Sequence, residues 1–135
     1  MNNAKGLILV RVVAAATTIA AVTLAANVLL NISVRQAKFS EAATGATVIR
    51  AAISLYAAQT GTYPTIPPGS AFAQWGLDLD AASLDGRFFC SGDYDVLSTA
   101  VGYTIIVRGG GPKPEAPPPG TSLLLTDSGQ WIRNY

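Results

Sequence analysis

The sequence contains no histidine and a single cysteine, Cys90, among its 135 residues. With one thiol in the chain, neither an internal disulfide nor a cysteine zinc site can form within a single copy. Because histidine is absent, the commonest general base and the usual pairs of a nucleophile with a histidine base are missing. We predict a protein that is not an enzyme, with no catalytic residue, no metal ligand and no cofactor.

Charged residues are also scarce, at 13% of the chain, and the formal net charge is +1. A chain without a strongly basic surface lacks the electrostatic attraction that phosphate backbones require, so no nucleic-acid partner is predicted. Apolar residues, by contrast, make up 50% of the chain, which is high for a soluble domain. This composition is typical of a small domain with a membrane anchor.

The apolar residues concentrate in residues 7–32, where Arg11 is the only charge. About 20 apolar residues suffice to cross the hydrocarbon of a bilayer, so this stretch is predicted to be a transmembrane and assembly helix. Residues 1–6 precede it as a short basic leader. No proline occurs before residue 64, and one helix from the leader to Gly61 would be roughly 80 Å long.

Residues 33–61 are predicted to form the amphipathic half of the same helix. Apolar side chains recur there at spacings of three and four, which predicts one face packed on a sheet. The members of this face are Val48, Ile49, Ala52, Ile53, Leu55 and Tyr56. Gly45 indicates a bend or a close contact between helices. Gly61 can take the left-handed conformation and Pro64 prevents continuation, so the helix is predicted to end at Gly61.

Residues 62–135 are predicted to form a small antiparallel sheet domain, with a short helix within residues 71–79. Strands are expected from β-branched and aromatic runs between turn residues, at residues 87–90, 94–97, 102–108, 123–126 and 130–133. Residues 109–120 are rich in glycine and proline and are expected to form an exposed loop. The predicted fold class is α+β, a long N-terminal helix packed on an antiparallel sheet of three to five strands.

Five aspartates lie close together along the second half of the chain. They are Asp78, Asp80, Asp85, Asp93 and Asp95. Calcium takes six to eight oxygen ligands from a compact loop, and these aspartates lack the alternating spacing of such a loop. We interpret them as turn and cap residues, and Cys90 as a small buried residue within a strand. An enzyme that uses this cluster is the least favoured alternative.

Two motifs resemble those of the type IV pilins and the pseudopilins of type II secretion. Lys5-Gly6 followed at once by the apolar run from Leu7 resembles the leader junction of that family. Tyr56, about two turns before Gly61-Thr62-Tyr63-Pro64, resembles the exit from the family's first helix. The resemblance covers the first half of the chain well and the second half in outline, where it implies the same helix-on-sheet architecture.

The resemblance implies a route of processing and assembly. A prepilin peptidase would cut between Gly6 and Leu7, and Leu7 would then be methylated. The chain would sit in the inner membrane with its C-terminal domain in the periplasm. It would then join other pilin or pseudopilin subunits, as a homopolymer or a heteropolymer, in a cell-surface or periplasmic filament. A pilus, a secretion pseudopilus and a DNA-uptake apparatus all remain open, as do major and minor subunit roles.

Arg11 departs from the family pattern, which usually has Glu at this position after the junction. The family's Glu is thought to neutralise the terminal amine of a neighbouring subunit. Arg11 would instead repel that amine, by about 4 kcal/mol at about 4 Å and an effective dielectric of 20. We therefore expect this chain to be a minor subunit that assembles beside Glu-bearing subunits. The family also usually has Phe where this chain has Leu7, and a proline within the apolar segment, where this chain has none.

The alternative interpretation is an uncleaved single-pass inner-membrane protein whose small periplasmic domain binds another envelope component. Lys5 and Arg11 before the apolar core favour a cytoplasmic N-terminus, whereas Arg35 and Lys38 beyond it weaken that bias. The two interpretations predict different N-termini for the protein isolated from cells.

Overall fold

Helix α1 spans Asn2–Thr60 in the computed structural model, and three 3₁₀ turns and four β-strands follow it. The structure describes the backbone of residues 2–135 and the side chains of residues 29–135. The chain divides into two units, Met1–Val34 and Arg35–Tyr135, and α1 runs through both.

The predicted transmembrane stretch, residues 7–32, lies mostly outside the described side chains. Among the side chains that are described, no helix combines the length and the apolar character needed to cross a bilayer.

Four strands form one antiparallel sheet in which each strand pairs with the next along the chain. They are β1 (Tyr94–Thr99), β2 (Gly102–Arg108), β3 (Ser122–Thr126) and β4 (Trp131–Asn134). Side chains alternate between the two faces, so Tyr103, Ile105 and Val107 of β2 are buried while their neighbours are not. The prediction of a long helix packed on a small antiparallel sheet is confirmed.

The core lies between one face of the sheet and a stripe of α1. The helix contributes buried side chains at alternating spacings of three and four, at Phe39, Ala42, Ala46, Ile49 and Ile53. Small residues in this stripe let the helix approach the sheet closely. At Gly45 a Cβ atom would overlap the phenol ring of Tyr94. Gly45 therefore marks a close contact between helix and sheet, not a bend or a contact between helices.

The predicted apolar face of α1 was wrong at Leu55. Ile49 and Ile53 are fully buried, as predicted, but the Leu55 side chain is 46% exposed. Each helical residue advances about 100°, so Leu55 lies about 200° around the helix from Ile53. The sheet covers a narrower stripe than the apolar pattern predicted.

The end of α1 agrees with the sequence. Thr60 is its last residue, and Gly61 takes a left-handed conformation with φ of 88°. The Gly61 N–H donates to the Ala57 carbonyl, with an N···O distance of 2.8 Å, which satisfies one of the last free carbonyls.

The strand predicted at residues 87–90 does not form. That segment is irregular and passes through a 3₁₀ turn, Ser91–Asp93, before β1 begins. The N–H groups of Arg87, Phe88 and Phe89 donate to the Glu41 side chain of α1, so they are not free to pair with a strand. Cys90 is accordingly half-buried and outside any strand, contrary to prediction. The predicted helix within residues 71–79 is reduced to one 3₁₀ turn, Phe72–Gln74.

Residues 109–120 form a loop, as predicted, but the loop is not simply exposed. Pro117 is fully buried, with less than 2% of its surface accessible. The Gly110 N–H donates to the Pro117 carbonyl, with an N···O distance of 2.6 Å, and the Gly109 N–H donates to that of Thr121 at 2.9 Å. These bonds close the loop on itself and fix its position on the domain.

Candidate functional site

The residues predicted to direct processing and assembly are Gly6, Leu7 and Arg11. Their side chains lie outside the described part of the chain, which starts at Leu29. Cleavage after Gly6 and the assembly role of Arg11 stay predictions.

Helix α1 carries exposed apolar side chains where its described side chains begin. Leu29 is 65% exposed, Leu30 63%, Ile32 48% and Val34 44%. We call these four residues the upstream surface. At about 100° per residue they cover an arc of about 200° of the helix circumference, and Asn31 and Arg35 lie on the remaining side. An exposed apolar surface of this breadth is normally an interaction site for another protein or for a membrane.

Downstream of that surface, Glu41 holds a distant segment against α1. Its Oε1 accepts the N–H groups of Phe88 and Phe89, each at 3.0 Å, and its Oε2 accepts that of Arg87 at 3.1 Å. Gly86 lies so close to the same carboxylate that a Cβ atom would overlap it. Three charge-assisted hydrogen bonds thus replace the strand pairing that was predicted for this segment.

Two ion pairs join the segment around residue 86 to the loop at residues 109–120. Arg87 forms a bidentate pair with Glu115, in which the Nη2 to Oε1 distance is 3.1 Å. Lys113 Nζ lies 2.8 Å from Asp85 Oδ1. Hydrogen bonding within each pair raises the pKa of Arg87 and of Lys113 and lowers the pKa of Glu115. These pairs are largely solvent-exposed, so they orient the loop more than they stabilise it.

The aspartates serve separate local roles. Asp80 Oδ1 accepts the Ala82 N–H at 3.1 Å, and Asp93 Oδ2 accepts the Cys90 N–H at 2.8 Å. Asp95 pairs with Arg108 Nη1 at 3.2 Å. Among residues 29–135, no group of three or more potential metal ligands is brought together. The predicted turn and cap roles are confirmed for Asp80 and Asp93.

The buried phenols do not offer basic groups at neutral pH. Burial raises the pKa of Tyr94, and the nearby Glu41 carboxylate acts in the same direction. Burial likewise raises the pKa of Tyr103. Both side chains therefore stay protonated and act in packing, Tyr94 against Gly45 and Tyr103 edge-on to Tyr63 at 5.1 Å between ring centroids.

A groove of about 570 Å³ runs between α1 and the last two strands. We call it the β4 groove. Its lining comprises Gln36, Phe39, Ser40 and Ala43 of α1, with Leu123, Trp131, Arg133 and Tyr135 of the sheet side. The Tyr135 ring stacks on Phe39, with 4.1 Å between centroids and 2° between planes.

Sequence reasoning missed both the Glu41 contacts and the β4 groove. Glu41 is the only acidic residue in the sequence of α1. A single carboxylate in a long helix whose other charged residues are all basic is a usable indication of a specific partner. The groove had no comparable indication, because it depends on how far the sheet extends across the helix.

Comparison of the chain with family models, with curated proteins and with solved structures finds no match.

Proposed function

We propose that this chain is a structural subunit of a filament of the type IV pilus or type II secretion pseudopilus kind. Its N-terminal helix would hold it in the inner membrane, with the sheet domain in the periplasm, and then form the contacts between subunits. The upstream surface is the observation that carries the proposal. Four of the six side chains of residues 29–34 are apolar and each of the four is at least 44% exposed, which favours surroundings that cover them with other apolar groups.

Membrane and filament both provide such surroundings. Lipid would cover the helix before assembly, and helices of other subunits would cover it afterwards. Since apolar area is buried in both states, transfer from one to the other carries no large hydrophobic cost. Alanine and threonine are frequent between residues 14 and 26, and small residues allow close packing of helices.

The sheet domain supports the proposal in a second way. Its core is complete without the upstream surface, because the helix stripe that it buries begins only at Phe39. Assembly through the first half of α1 would then leave the domain folded.

Thiol cross-linking in cells tests the proposal. Leu30→Cys in a Cys90→Ser background places one thiol on the upstream surface, and Ser83→Cys in the same background places one on an exposed 3₁₀ turn. With a short thiol-reactive linker, we expect dimers and larger species from Leu30→Cys only. Monomers alone from both variants, or equal products from both, would contradict assembly through this surface.

Mass spectrometry of the N-terminus separates the proposal from the single-pass alternative. A subunit processed as proposed begins at Leu7 and carries a methyl group. A protein isolated from cells that begins at Met1 or Asn2 supports the uncleaved membrane protein instead.

Arg11→Glu tests the minor-subunit hypothesis. We expect the unchanged chain to enter filaments only beside Glu-bearing partners, and the substitution to relieve that dependence. Filaments built from the unchanged chain alone, and unaffected by the substitution, would exclude it.

A further inference from the structure

Strand β4 is a free edge of the sheet in the described part of the chain. The sheet order ends at β4, and the one isolated bridge outside the four strands joins Ile66 to Ser98 at the opposite edge. An edge strand exposes a row of unpaired N–H and C=O groups, which can accept a further strand.

The hairpin register identifies which groups are unpaired. The Thr126 N–H donates to the Gln130 carbonyl, and Leu125 stands opposite Trp131 and Leu123 opposite Arg133. In an antiparallel pair, hydrogen-bonded and non-hydrogen-bonded positions alternate. Trp131 and Arg133 are therefore the non-hydrogen-bonded positions, and their backbone groups point away from β3.

The same two residues face the β4 groove. Leu123 and Leu125 of β3 are buried in the core, and residues directly opposite on neighbouring strands share a face. Trp131 and Arg133 accordingly line the groove, and across it α1 presents Gln36, Ser40 and Ala43. A strand added to β4 would find backbone partners at its side and room for its inward side chains.

We propose that β4 binds an extended segment of another protein as a fifth, antiparallel strand, with an acidic side chain opposite Arg133. The backbone groups of Trp131 and Arg133 would supply the hydrogen bonds. Trp131 would contact an apolar side chain two positions from the acid, since alternate residues of a strand share a face.

Charge determines the chemistry of the partner. Arg133 takes part in none of the ion pairs between described residues, whereas Arg87, Arg108 and Lys113 each have a carboxylate partner. A carboxylate directly opposite Arg133 would form a favourable cross-strand pair, and a cation there would be unfavourable. Two copies of β4 paired about Arg133 would place like charges together, so the edge favours an acidic strand of a different sequence.

Binding of short labelled peptides to the full chain in mild detergent tests this proposal. The first peptide carries a glutamate and a valine two positions apart, on the side that would face the β4 groove, and threonine at the positions between and beside them. A second peptide has lysine in place of the glutamate. We expect fluorescence anisotropy to show binding of the glutamate peptide, at least fivefold tighter than the lysine peptide. Hydrogen exchange should slow at residues 131–135 when it binds.

Substitutions locate the contact. Arg133→Gln should weaken binding of the glutamate peptide severalfold. Ile132→Glu makes the same change in net charge on the opposite face of β4 and should leave binding unchanged. Arg133→Glu should reverse the preference, so that the lysine peptide binds more tightly, a result that a general loss of folding would not produce.

The competing outcomes would each overturn the proposal. These are equal binding of both peptides, undiminished binding of a glutamate peptide whose edge-facing amides are N-methylated, and protection outside residues 131–135. Protection of β4 that rises with protein concentration and without peptide would instead indicate a second copy on this edge. Because the edge belongs to the sheet domain, failure of this test leaves the filament proposal unaffected.

Discussion

Two stretches of α1 use similar apolar residues in opposite surroundings. Phe39, Ile49 and Ile53 are at most 1% exposed, whereas Leu29 and Leu30 are more than 60% exposed. The two stretches contain side chains of similar hydrophobicity, but their apolar residues recur at different spacings along the helix. The downstream residues follow one narrow stripe and match one sheet, while the upstream residues cover about 200° of the helix circumference. A narrow stripe can be covered by one sheet, whereas a broader apolar surface needs more extensive apolar surroundings.

The largest effect is expected when an aspartate replaces one apolar residue in each of the two stretches. Ile53→Asp should lower the free energy of unfolding by at least about 3 kcal/mol, because it buries an unpaired carboxylate in the core. Leu30→Asp, the matched control, should change it by less than about 0.5 kcal/mol. Urea unfolding followed by fluorescence of the buried Trp75 gives both values. A fully stable Ile53→Asp protein would show that the stripe is not core.

Glu41→Gln tests whether the downstream stretch is held by more than apolar contact. The amide can accept fewer of the three N–H groups and carries no charge, so we expect a loss of about 2 kcal/mol in the free energy of unfolding. Glu115→Gln, which alters an exposed ion pair, should leave the unfolding midpoint unchanged. Equal effects of the two substitutions would mean that Glu41 is no more than a surface charge.

Gly45→Ala should reveal how closely helix and sheet approach. Alanine favours helix by about 1 kcal/mol relative to glycine, but the added methyl group would overlap Tyr94. Overpacking costs about 1–3 kcal/mol, so we expect net destabilisation of about 1 kcal/mol in thermal or urea unfolding. Tyr94→Leu removes the phenol oxygen and the ring carbons that the added methyl group would overlap, and in that background Gly45→Ala should cost clearly less. A stabilising Gly45→Ala in the unmodified chain would argue for a looser contact.

The smallest effect concerns the pair between Arg87 and Glu115. Because Arg87 lowers the pKa of Glu115 below its ordinary 4.5, the pair contributes fully above pH 4.5 and is lost as the pH falls through the folded-state pKa. Stability should therefore not change through this group between pH 7 and 5. In an NMR titration, Arg87→Gln should return the Glu115 pKa towards 4.5. An unchanged pKa would show that the pair does not persist in solution.

The sequence predicted those helix ends, strands and turns whose conformation depends on residues nearby in the chain. The end of α1 follows from Gly61 and Pro64, and β2 follows from a run of β-branched and aromatic residues that begins at Gly102. The final hairpin follows from Asp127-Ser128-Gly129 between two apolar runs. In each case the residues that determine the conformation lie within a few positions of it.

The errors at residues 87–89 and at Leu55 depend on parts of the chain that are far away in sequence. Residues 87–89 have strand-like composition, but their N–H groups bond to Glu41 in the helix. Leu55 has the composition of a core residue, but the sheet does not reach its side of α1. Pro117 belongs to a loop that looks unconstrained, yet it is buried. The edge at Arg133 became visible only once the sheet order placed β4 last.

The Glu41 contacts also have a consequence for folding kinetics. Two of the three connections between neighbouring strands are short, residues 100–101 and 127–130, whereas Glu41 bonds to residues 46 to 48 positions away. Contacts that close long loops have a larger entropy cost, and we expect those of Glu41 to form after the transition state. We expect Glu41→Gln to accelerate unfolding and to leave the refolding rate nearly unchanged. The Glu41 carboxylate would then slow unfolding of the domain and have little influence on its folding rate.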